Sequence, residues 1–283
     1  MIRPKSHAMT RSILITGCSS GIGRHCALAM ARRGWQVFAT ARRDEDVEAL
    51  REEGLRALYL DYTDEDTIAS ALAAVLMTTN GRLDALFNNG GYSQPGAIED
   101  LSGAALREQF ETNFFGWHEL TRRVVPVMRR QASGRIVMNS SVLGLLPLGF
   151  RGAYNASKFA VEAYSDTLRI ELAGTGIKVV TIQPGPIESK IAENAIKAFH
   201  RHIEAEKSVH RAYYERRLAA LETGGNTVGQ LGPEAVMKVL VKACESSRPR
   251  THYMVTKQTK IAHLGRRLLP RRVLNRLAIR MTS

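Results

Sequence analysis

Short apolar, β-branched segments alternate with helical segments along most of this 283-residue chain. The first strand is predicted at 11–17, and apolar residues at helical spacing follow it and end at Gly34. Strands joined by such helices run parallel, because a parallel crossover needs about a dozen residues. The pattern predicts the α/β class, with one doubly wound parallel sheet of about seven strands and helices on both faces.

Composition bears on two questions: whether the protein binds a metal, and where in the cell it is located. The chain is 44% hydrophobic and 24% charged, which is typical of a globular protein in water. Its cysteines, Cys18, Cys26 and Cys244, are too scattered for a disulfide framework or a four-ligand zinc site, so we predict no metal. No apolar run approaches the roughly 20 residues of a membrane span. We expect a cytoplasmic protein.

Three regions are predicted along the chain. Residues 1–10 lack the apolar core of a signal peptide and are predicted to be a disordered extension. Residues 11–256 carry the strand–helix pattern without a Pro/Gly-rich linker, so we predict one domain that includes a helical insertion at 190–230. Residues 257–283 form a basic tail.

The tail contributes much of the formal net charge of +13, because it contains eight lysines and arginines and no acid. A basic surface attracts phosphates, but no zinc-finger, aromatic RNA-binding or basic-zipper pattern accompanies it, so we predict no nucleic-acid binding. Apolar residues recur through the tail at helical spacing, interrupted by Pro270. Two interpretations stay open: a basic amphipathic helix on an anionic membrane surface, or a helix packed on its own subunit or a neighbour.

A glycine-rich turn, TGCSSGIG at 16–23, connects the first strand to the first helix. Glycines there let the backbone approach a pyrophosphate, whose charge is favoured by the free N–H groups of a helix start. The spacing is G-x-x-x-G-x-G instead of G-x-G-x-x-G. The turn resembles the cofactor loop of the short-chain dehydrogenase/reductase family, which implies a Rossmann-type fold and a nicotinamide cofactor. The cofactor-binding residues that this resemblance implies in the loop are Gly17, Ser19, Ser20, Gly21, Ile22 and Gly23.

Further motifs similar to those of the family follow in order along 11–255. NNGG at 88–91 resembles the family's N-N-A-G, with Gly90 in place of alanine, a change expected to loosen the turn without abolishing it. Asp61 matches the family's aspartate after strand three, which contacts the adenine. PGPIES resembles P-G-x-x-x-T after strand six, with Ser189 for threonine. The cofactor-binding residues implied by these motifs are Asp61, Asn88, Gly90, Pro184, Gly185, Ile187 and Ser189.

Tyr154 and Lys158 lie four residues apart in a predicted helix, so both side chains can reach one point beside it. Such a pair can be an ordinary surface contact, but a lysine cation also lowers a tyrosine pKa that is ordinarily near 10. The resemblance adds Asn113 and Ser141 to the catalytic set. It implies that Ser141 and Tyr154 contact the substrate oxygen, that Tyr154 transfers its proton, that Tyr154 and Lys158 also contact the cofactor, and that Asn113 positions a water beside Lys158.

Each of these residues has a simpler interpretation. Ser141 suits a turn at a strand end, Asn113 a kink in a helix, and Lys158 a solvated charge. The presence of all four residues in the family's order argues for the catalytic interpretation.

The residues after strand two bear on the choice between NAD and NADP. Relatives that prefer NAD carry an acid there to bind the ribose hydroxyls, whereas this chain has Ala41 followed by Arg42 and Arg43. Arginines suit bidentate contacts to a 2′-phosphate, so we predict NADP (NADPH) as the cofactor. Arg42 is the stronger candidate, because Arg43 is also explained as a solvated charge beside Asp44.

The insertion at 190–230 corresponds to the family's loop that closes over the substrate. Its apolar residues suit a hydrophobic aldehyde, retinoid or ketosteroid, or the matching alcohol, although apolar residues at helical spacing also simply pack. Segments 91–101 and 143–150 are the other predicted walls. The chain looks most similar to the hydroxysteroid/retinol-dehydrogenase-like branch.

These features predict an NADP(H)-dependent oxidoreductase that interconverts a carbonyl and an alcohol by hydride transfer. The alternative is an NADP-binding sensor or scaffold with little turnover, which would not need a tuned tyrosine. The resemblance implies a homodimer or homotetramer formed through the helices after strands four and five.

Overall fold

The computed structural model describes residues 10–222 and 229–282. Its strands are β1 (Ser12–Ile15), β2 (Gln36–Ala41), β3 (Arg56–Tyr59), β4 (Ala85–Asn88), β5 (Gly134–Asn139), β6 (Ile177–Gln183) and β7 (His252–Met254). They form one parallel sheet in the order β3-β2-β1-β4-β5-β6-β7. This arrangement confirms the predicted fold class.

Helices connect the strands and cover both faces of the sheet. They are α1 (Gly21–Arg32), α2 (Asp44–Glu52), α3 (Glu65–Thr78), α4 (Gly103–Phe110), α5 (Gly116–Gln131), α6 (Gly152–Glu171), α7 (Ile191–His202), α8 (Arg211–Glu222), α9 (Glu234–Glu245), α10 (Lys257–Leu268) and α11 (Arg271–Thr282).

The central strand β1 separates two apolar cores. Ile13 and Ile15 face the core that includes α1, α2 and α9, whereas Leu14 faces the core that includes α3, α5 and α6. All three side chains are fully buried. A strand buried on both faces has no polar side, which explains its continuous apolar sequence.

The strand order changes direction at β1: β2 and β3 lie on one side of it, and the strands from β4 onward lie on the other. Doubly wound sheets bind ligands in the crevice at the carboxyl ends of the strands at such a point. The segments after β1 and β4 meet there, because Thr16 N donates to Phe87 O at 3.1 Å and Asn89 N donates to Thr16 Oγ1 at 2.9 Å. The glycine-rich turn therefore lies at the crevice.

The long helix expected at about 103–131 is divided into α4 and α5. Between them, Glu111–Phe115 forms a π-helical turn. Such a turn changes the direction of the side chains that follow it and often marks a functional site. Asn113 lies within it.

The predicted insertion forms α7, a 3₁₀ turn at Ala205–Lys207 and α8, and the tail forms α10 and α11 on either side of Pro270. Residues 223–228 of the insertion, residues 1–9 of the extension and residue 283 lie outside the described residues. Within the part of the chain that the structure describes, no helix is both long and apolar enough to cross a membrane.

Candidate active site

The glycine-rich turn packs directly against two other predicted motifs. Gly17 and Gly21 have positive φ angles of 68° and 53°, which glycine adopts without strain. A Cβ atom on Gly17 would lie 2.5 Å from Gly90 Cα, and one on Gly21 would lie 2.9 Å from Ser189 Cβ. Residues predicted from three separate motifs therefore meet in one place.

The amino end of α1 is open to an anion. Its N-cap residue, Ser20, is extended and makes no side-chain capping bond, and the first turn contains no acid. Ser19, Ser20 and Ile22 are half-buried at this position. Uncapped N–H groups and the helix dipole favour a phosphate here.

The turn is supported from behind by residues that sequence reasoning missed. Thr16 Oγ1 accepts hydrogen bonds from the backbone N–H groups of Asn89 and Gly90 and lies 2.7 Å from the Tyr62 hydroxyl. Asn89 Nδ2 donates to Thr16 O at 2.9 Å. The only signals for these contacts were the paired asparagines and the threonine before the first glycine.

Asn88 lies behind this support. It is fully buried, its Oδ1 accepts from the Tyr62 hydroxyl at 2.9 Å, and its Nδ2 donates to Thr121 Oγ1 at 3.0 Å. Both ends of the amide are thus bonded inside the protein. This placement differs from the direct cofactor contact expected for Asn88 and makes it a support for the turn.

Ser141, Tyr154 and Lys158 lie together in the buried region after β5. Ser141 caps the 3₁₀ turn Val142–Gly144, its Oγ accepting from Leu143 N at 3.1 Å. Tyr154 and Lys158 lie one turn apart on α6, and Lys158 Nζ is 5.6 Å from the Tyr154 ring centroid. Burial raises the pKa of Tyr154, and hydrogen bonding to Ser141 opposes that rise.

Lys158 is held by groups that the sequence did not single out. Its Nζ donates to the main-chain carbonyl of Asn139 at 2.8 Å and lies 4.5 Å from the Trp117 ring centroid. The Trp117 indole N–H donates to Gly90 O at 2.8 Å. Trp117 thereby links the lysine to the loop beside Gly17.

The charges of this cluster differ from the sequence expectation. Burial lowers the pKa of Lys158 to about 7, against an opposing effect of the Glu162 carboxylate. Burial also raises the pKa of Tyr154, and the Ser141 hydrogen bond and the Arg151 charge oppose that rise. In the protein chain by itself, Arg151 is the cation that opposes this rise in the pKa of Tyr154, whereas Lys158 was expected to lower that pKa.

Asn113 contacts the segment after β4. Its Nδ2 donates to Tyr92 O at 2.9 Å, and its Oδ1 accepts from Tyr92 N at 3.1 Å. Nδ2 is also 3.5 Å from the hydroxyl of Ser157 on α6. The Asn113 side chain does not hydrogen-bond to Lys158. Its hydrogen bonds to the Tyr92 main chain instead hold residue 92 beside α6.

The two arginines after β2 differ in their partners. Arg43 forms ion pairs with Asp46 at 2.7 Å and Glu45 at 3.3 Å. Arg42 is exposed and has no carboxylate within 4 Å among residues 10–222 and 229–282. Arg43 thus fits the alternative interpretation of a solvated charge beside an acid. The acids are Asp46 and Glu45, whereas Asp44 was expected.

Asp61 follows β3 on the same edge of the sheet. Its Oδ1 accepts hydrogen bonds from the backbone N–H and the hydroxyl of Thr63, both at 2.9 Å. The carboxylate is half-buried and turned into its own loop.

The segment after β6 joins the two halves of the site. Pro184 O accepts from Val142 N at 2.7 Å, next to Ser141, and Ser189 lies against Gly21. Between them, Gly185 packs against Thr256, and Ile187 is buried and bridges to Leu231. The sequence-predicted residues of this segment therefore run from the serine to the glycine-rich turn.

The three predicted substrate walls enclose a cavity of about 40 Å³, room for about three water molecules. Its lining comes from residues 95–96, residues 149–151 and helices α7 and α8. Phe199, Ile203 and Tyr214 of the insertion form a small apolar core with Ala97. Packing thus accounts for part of the apolar content of the insertion, as the alternative interpretation holds.

Comparison with known proteins identifies this arrangement. Residues 11–198 match the family model described as short chain dehydrogenase. The chain belongs to the short-chain dehydrogenase family. It is therefore an NAD(P)-dependent oxidoreductase.

Among curated relatives, the uncharacterized oxidoreductase YbbO of Escherichia coli is 39% identical over 95% of this chain and 94% of that protein. NADPH-dependent 1-acyldihydroxyacetone phosphate reductase of Schizosaccharomyces pombe is 38% identical over 74% of this chain and 70% of that protein. Bovine retinol dehydrogenase 8 is 36% identical over 84% and 79%, respectively.

Solved structures have the same fold over nearly the whole chain. A short-chain dehydrogenase from Streptomyces avermitilis superposes with a TM-score of 0.77 at 30% identity and covers 94% of this chain and 95% of its own. A serine dehydrogenase in complex with NADP⁺ superposes with a TM-score of 0.74 at 25% identity, over 88% and 95%, respectively.

Proposed function

We propose that this protein is an NADP(H)-dependent oxidoreductase that interconverts a carbonyl and an alcohol on a hydrophobic substrate. The observation that carries the proposal is the buried cluster of Ser141, Tyr154 and Lys158 beside an uncapped helix start. A non-catalytic nucleotide binder would gain nothing from burying an ionisable lysine and a phenol together, because burial of either charged form is costly.

The residues fit an NADP molecule. Gly17 and Gly21 form a cradle that side chains would fill, and the start of α1 offers N–H groups to the pyrophosphate. Arg42, exposed and without an acid partner among the described residues, suits the 2′-phosphate. When bound, the nicotinamide supplies or accepts the hydride. The NADPH dependence stated in the name of the yeast relative supports this choice.

The protein's own residues handle the proton. Ser141 Oγ would donate a hydrogen bond to the substrate oxygen, and Tyr154 Oη would give that oxygen its proton in reduction and take it back in oxidation. Lys158 keeps one donor on Asn139 O and has two more for the ribose hydroxyls. Asn113 holds residue 92 at the edge of the site.

The substrate class follows from the apolar walls and from the relatives. Retinol dehydrogenase 8 and the acyldihydroxyacetone phosphate reductase are both named for substrates that carry long apolar chains. We therefore propose that this chain belongs to the hydroxysteroid/retinol-dehydrogenase-like branch and that its substrate is a hydrophobic aldehyde, retinoid or ketosteroid, or the matching alcohol.

Two associations complete the proposal. The exposed side chains of Phe115 and Ile170, on the helices after β4 and β5, suit a homodimer or homotetramer interface. Helices α10 and α11 combine several exposed apolar side chains with basic residues and no acid, which suits peripheral binding to an anionic membrane from the cytoplasmic side.

The function is tested by NADPH oxidation against a panel of aldehydes, retinal, ketosteroids and quinones, with NADH measured in parallel. Turnover that prefers NADPH is the expected result. Tight NADPH binding with no turnover on the whole panel would favour the sensor or scaffold alternative, and equal rates with NADH would contradict the NADP assignment.

A further inference from the structure

Two arginines face the cavity of the insertion from opposite walls. Arg151 is the N-cap residue of α6 and is bridged in parallel register to Gly96. Arg217 comes from α8. The two residues are 66 positions apart in sequence, and both line the cavity because the insertion folds back over residues 149–151.

Within residues 10–222 and 229–282, neither arginine has a described carboxylate partner. Among the described residues, arginines such as Arg24, Arg33 and Arg122 form ion pairs within 4 Å, but no acid lies that close to Arg151 or Arg217. Burial lowers the pKa of Arg151, and the charge of Arg217 lowers it further, opposed by Tyr154 and Tyr213. Arg151 is half-buried and Arg217 is exposed. A cavity lined by two guanidinium groups that have no acid partner among the described residues is a place where an anion would be stabilised.

The remaining walls are apolar and aromatic. Ala195, Ile196 and Phe199 line the cavity from α7, and Phe150 stacks on Tyr213 with ring centroids 3.7 Å apart. At about 40 Å³, the cavity has room for a small anionic group and the carbons next to it, with the rest of an apolar ligand lying outside it. Among the described residues, the only charged ones in the lining are the two arginines.

The cavity lies next to the start of the helix that carries Tyr154, although Ser141 and Tyr154 do not line it. Arg151, which lines it, is the N-cap residue of α6 and precedes Tyr154 by three residues. Burial raises the pKa of Tyr154 and the Arg151 charge opposes this rise, so the guanidinium lies within electrostatic reach of the phenol. An anion on the arginines would therefore lie in a cavity at the start of the helix that carries Tyr154.

We propose that Arg151 and Arg217 bind an anionic oxygen group, a carboxylate or a phosphate, on the substrate. This inference rests on the proposed oxidoreductase function and narrows it. Within the proposed hydrophobic class, the preferred substrates are then those that also carry an anionic group.

The test compares matched pairs of substrates. One pair is 3-oxodecanoate and its methyl ester, and the other is a long-chain hydroxyketone with and without a phosphate ester. We expect kcat/KM with NADPH to be at least about tenfold higher for the anionic member of one pair, because hydrogen bonds to charged groups are worth that factor or more. The pair with the larger ratio identifies the anion as carboxylate or phosphate.

Arg217→Met should reduce this ratio about tenfold, and Arg217→Lys should retain part of it. Arg216 is the matched control, because it is exposed on the same helix and does not line the cavity. Arg216→Met should leave the ratio unchanged. Equal kcat/KM for both members of each pair, or equal ratios in Arg217→Met and the wild-type protein, would overturn the anion site.

A binding measurement separates this proposal from the proposed function. Decanoate and decyl phosphate, compared with decanol, should raise the thermal unfolding midpoint of the wild-type protein but not that of Arg217→Met. If this shift occurs while no substrate turns over, the anion site stands and the oxidoreductase proposal fails. If substrates turn over without preference for the anion and no shift occurs, the oxidoreductase proposal stands and the anion site fails.

Discussion

Lys158 Nζ donates a 2.8 Å hydrogen bond to the main-chain carbonyl of Asn139, at a position where only 4% of the lysine is exposed. One carbonyl and the face of Trp117 replace the water that an ammonium group would otherwise bind. These two contacts do not fully replace the lost hydration, and burial therefore lowers the pKa of Lys158 to about 7. The lysine therefore changes its charge near neutral pH.

The first prediction concerns stability and pH. Because folding lowers the pKa of Lys158 from 10.5 to about 7, the unfolded chain binds more protons between these values. The lysine therefore destabilises the fold fully below about pH 7, and the cost is relieved as the pH rises toward 10.5. The free energy of unfolding of Lys158→Met relative to the wild-type protein should therefore be about 4 kcal/mol higher at pH 6 than at pH 10.

Urea unfolding at the two pH values measures this difference. Lys178→Met is the control, because Lys178 is exposed on β6, and its effect should not change over the same range. A Lys158→Met effect that is constant with pH would show that the lysine keeps its charge in the folded protein.

The second prediction concerns the catalytic tyrosine. Tyr154→Phe removes only the hydroxyl that transfers the proton, so NADPH binding should persist while turnover falls by at least about 100-fold. Tyr164→Phe, on the same helix, removes a hydroxyl that lies 3.1 Å from His118 Nδ1 and should retain activity. Turnover near the wild-type rate in Tyr154→Phe would remove Tyr154 from the mechanism.

The third prediction separates the two arginines after β2. Arg42→Ala should weaken NADPH binding about tenfold and leave NADH binding nearly unchanged, since only NADPH carries the 2′-phosphate. Arg43→Ala should have a smaller effect, because Arg43 is already paired with Asp46 and Glu45. Isothermal titration with both nucleotides measures this difference. Equal loss of NADPH and NADH affinity in Arg42→Ala would refute the phosphate contact.

The sequence predicted the parts of the molecule that depend on local pattern. The seven-stranded parallel sheet follows from alternating strands and helices, and the turn at Gly17 and Gly21 from glycines placed after the first strand. These features are read from neighbouring residues, where spacing determines which side chains share a face.

Contacts between distant segments were not predictable in the same way. The Asn139 carbonyl that holds Lys158 is a backbone group, so no residue type in the sequence indicates this contact. Arg151 and Arg217 line the same cavity because of the way the insertion packs over residues 149–151. Asn88 and Asn89 are adjacent and chemically identical, and only the direction of β4 decides that Asn89 faces the turn.

The last prediction concerns the tail. Ile261, Leu264 and Leu268 of α10 are 71%, 57% and 69% exposed, on a helix whose opposite side is anchored by the buried Thr259 and Ala262. Replacing the three exposed residues with glutamine leaves that anchor intact, so the fold should persist. Co-sedimentation with vesicles that contain phosphatidylglycerol should fall several-fold in this variant, because binding needs burial of the apolar side chains in addition to arginine–lipid attraction.

Two comparisons make the tail experiment decisive. Met77→Gln changes an exposed apolar residue on α3, far along the chain from the tail, and should not alter vesicle binding. Vesicles of phosphatidylcholine alone should bind the wild-type protein weakly, since they lack the charge that the tail arginines would contact. If the triple variant co-sediments like the wild-type protein but elutes as a smaller species in size-exclusion chromatography, the exposed face of α10 contacts a second copy of the chain instead of a membrane.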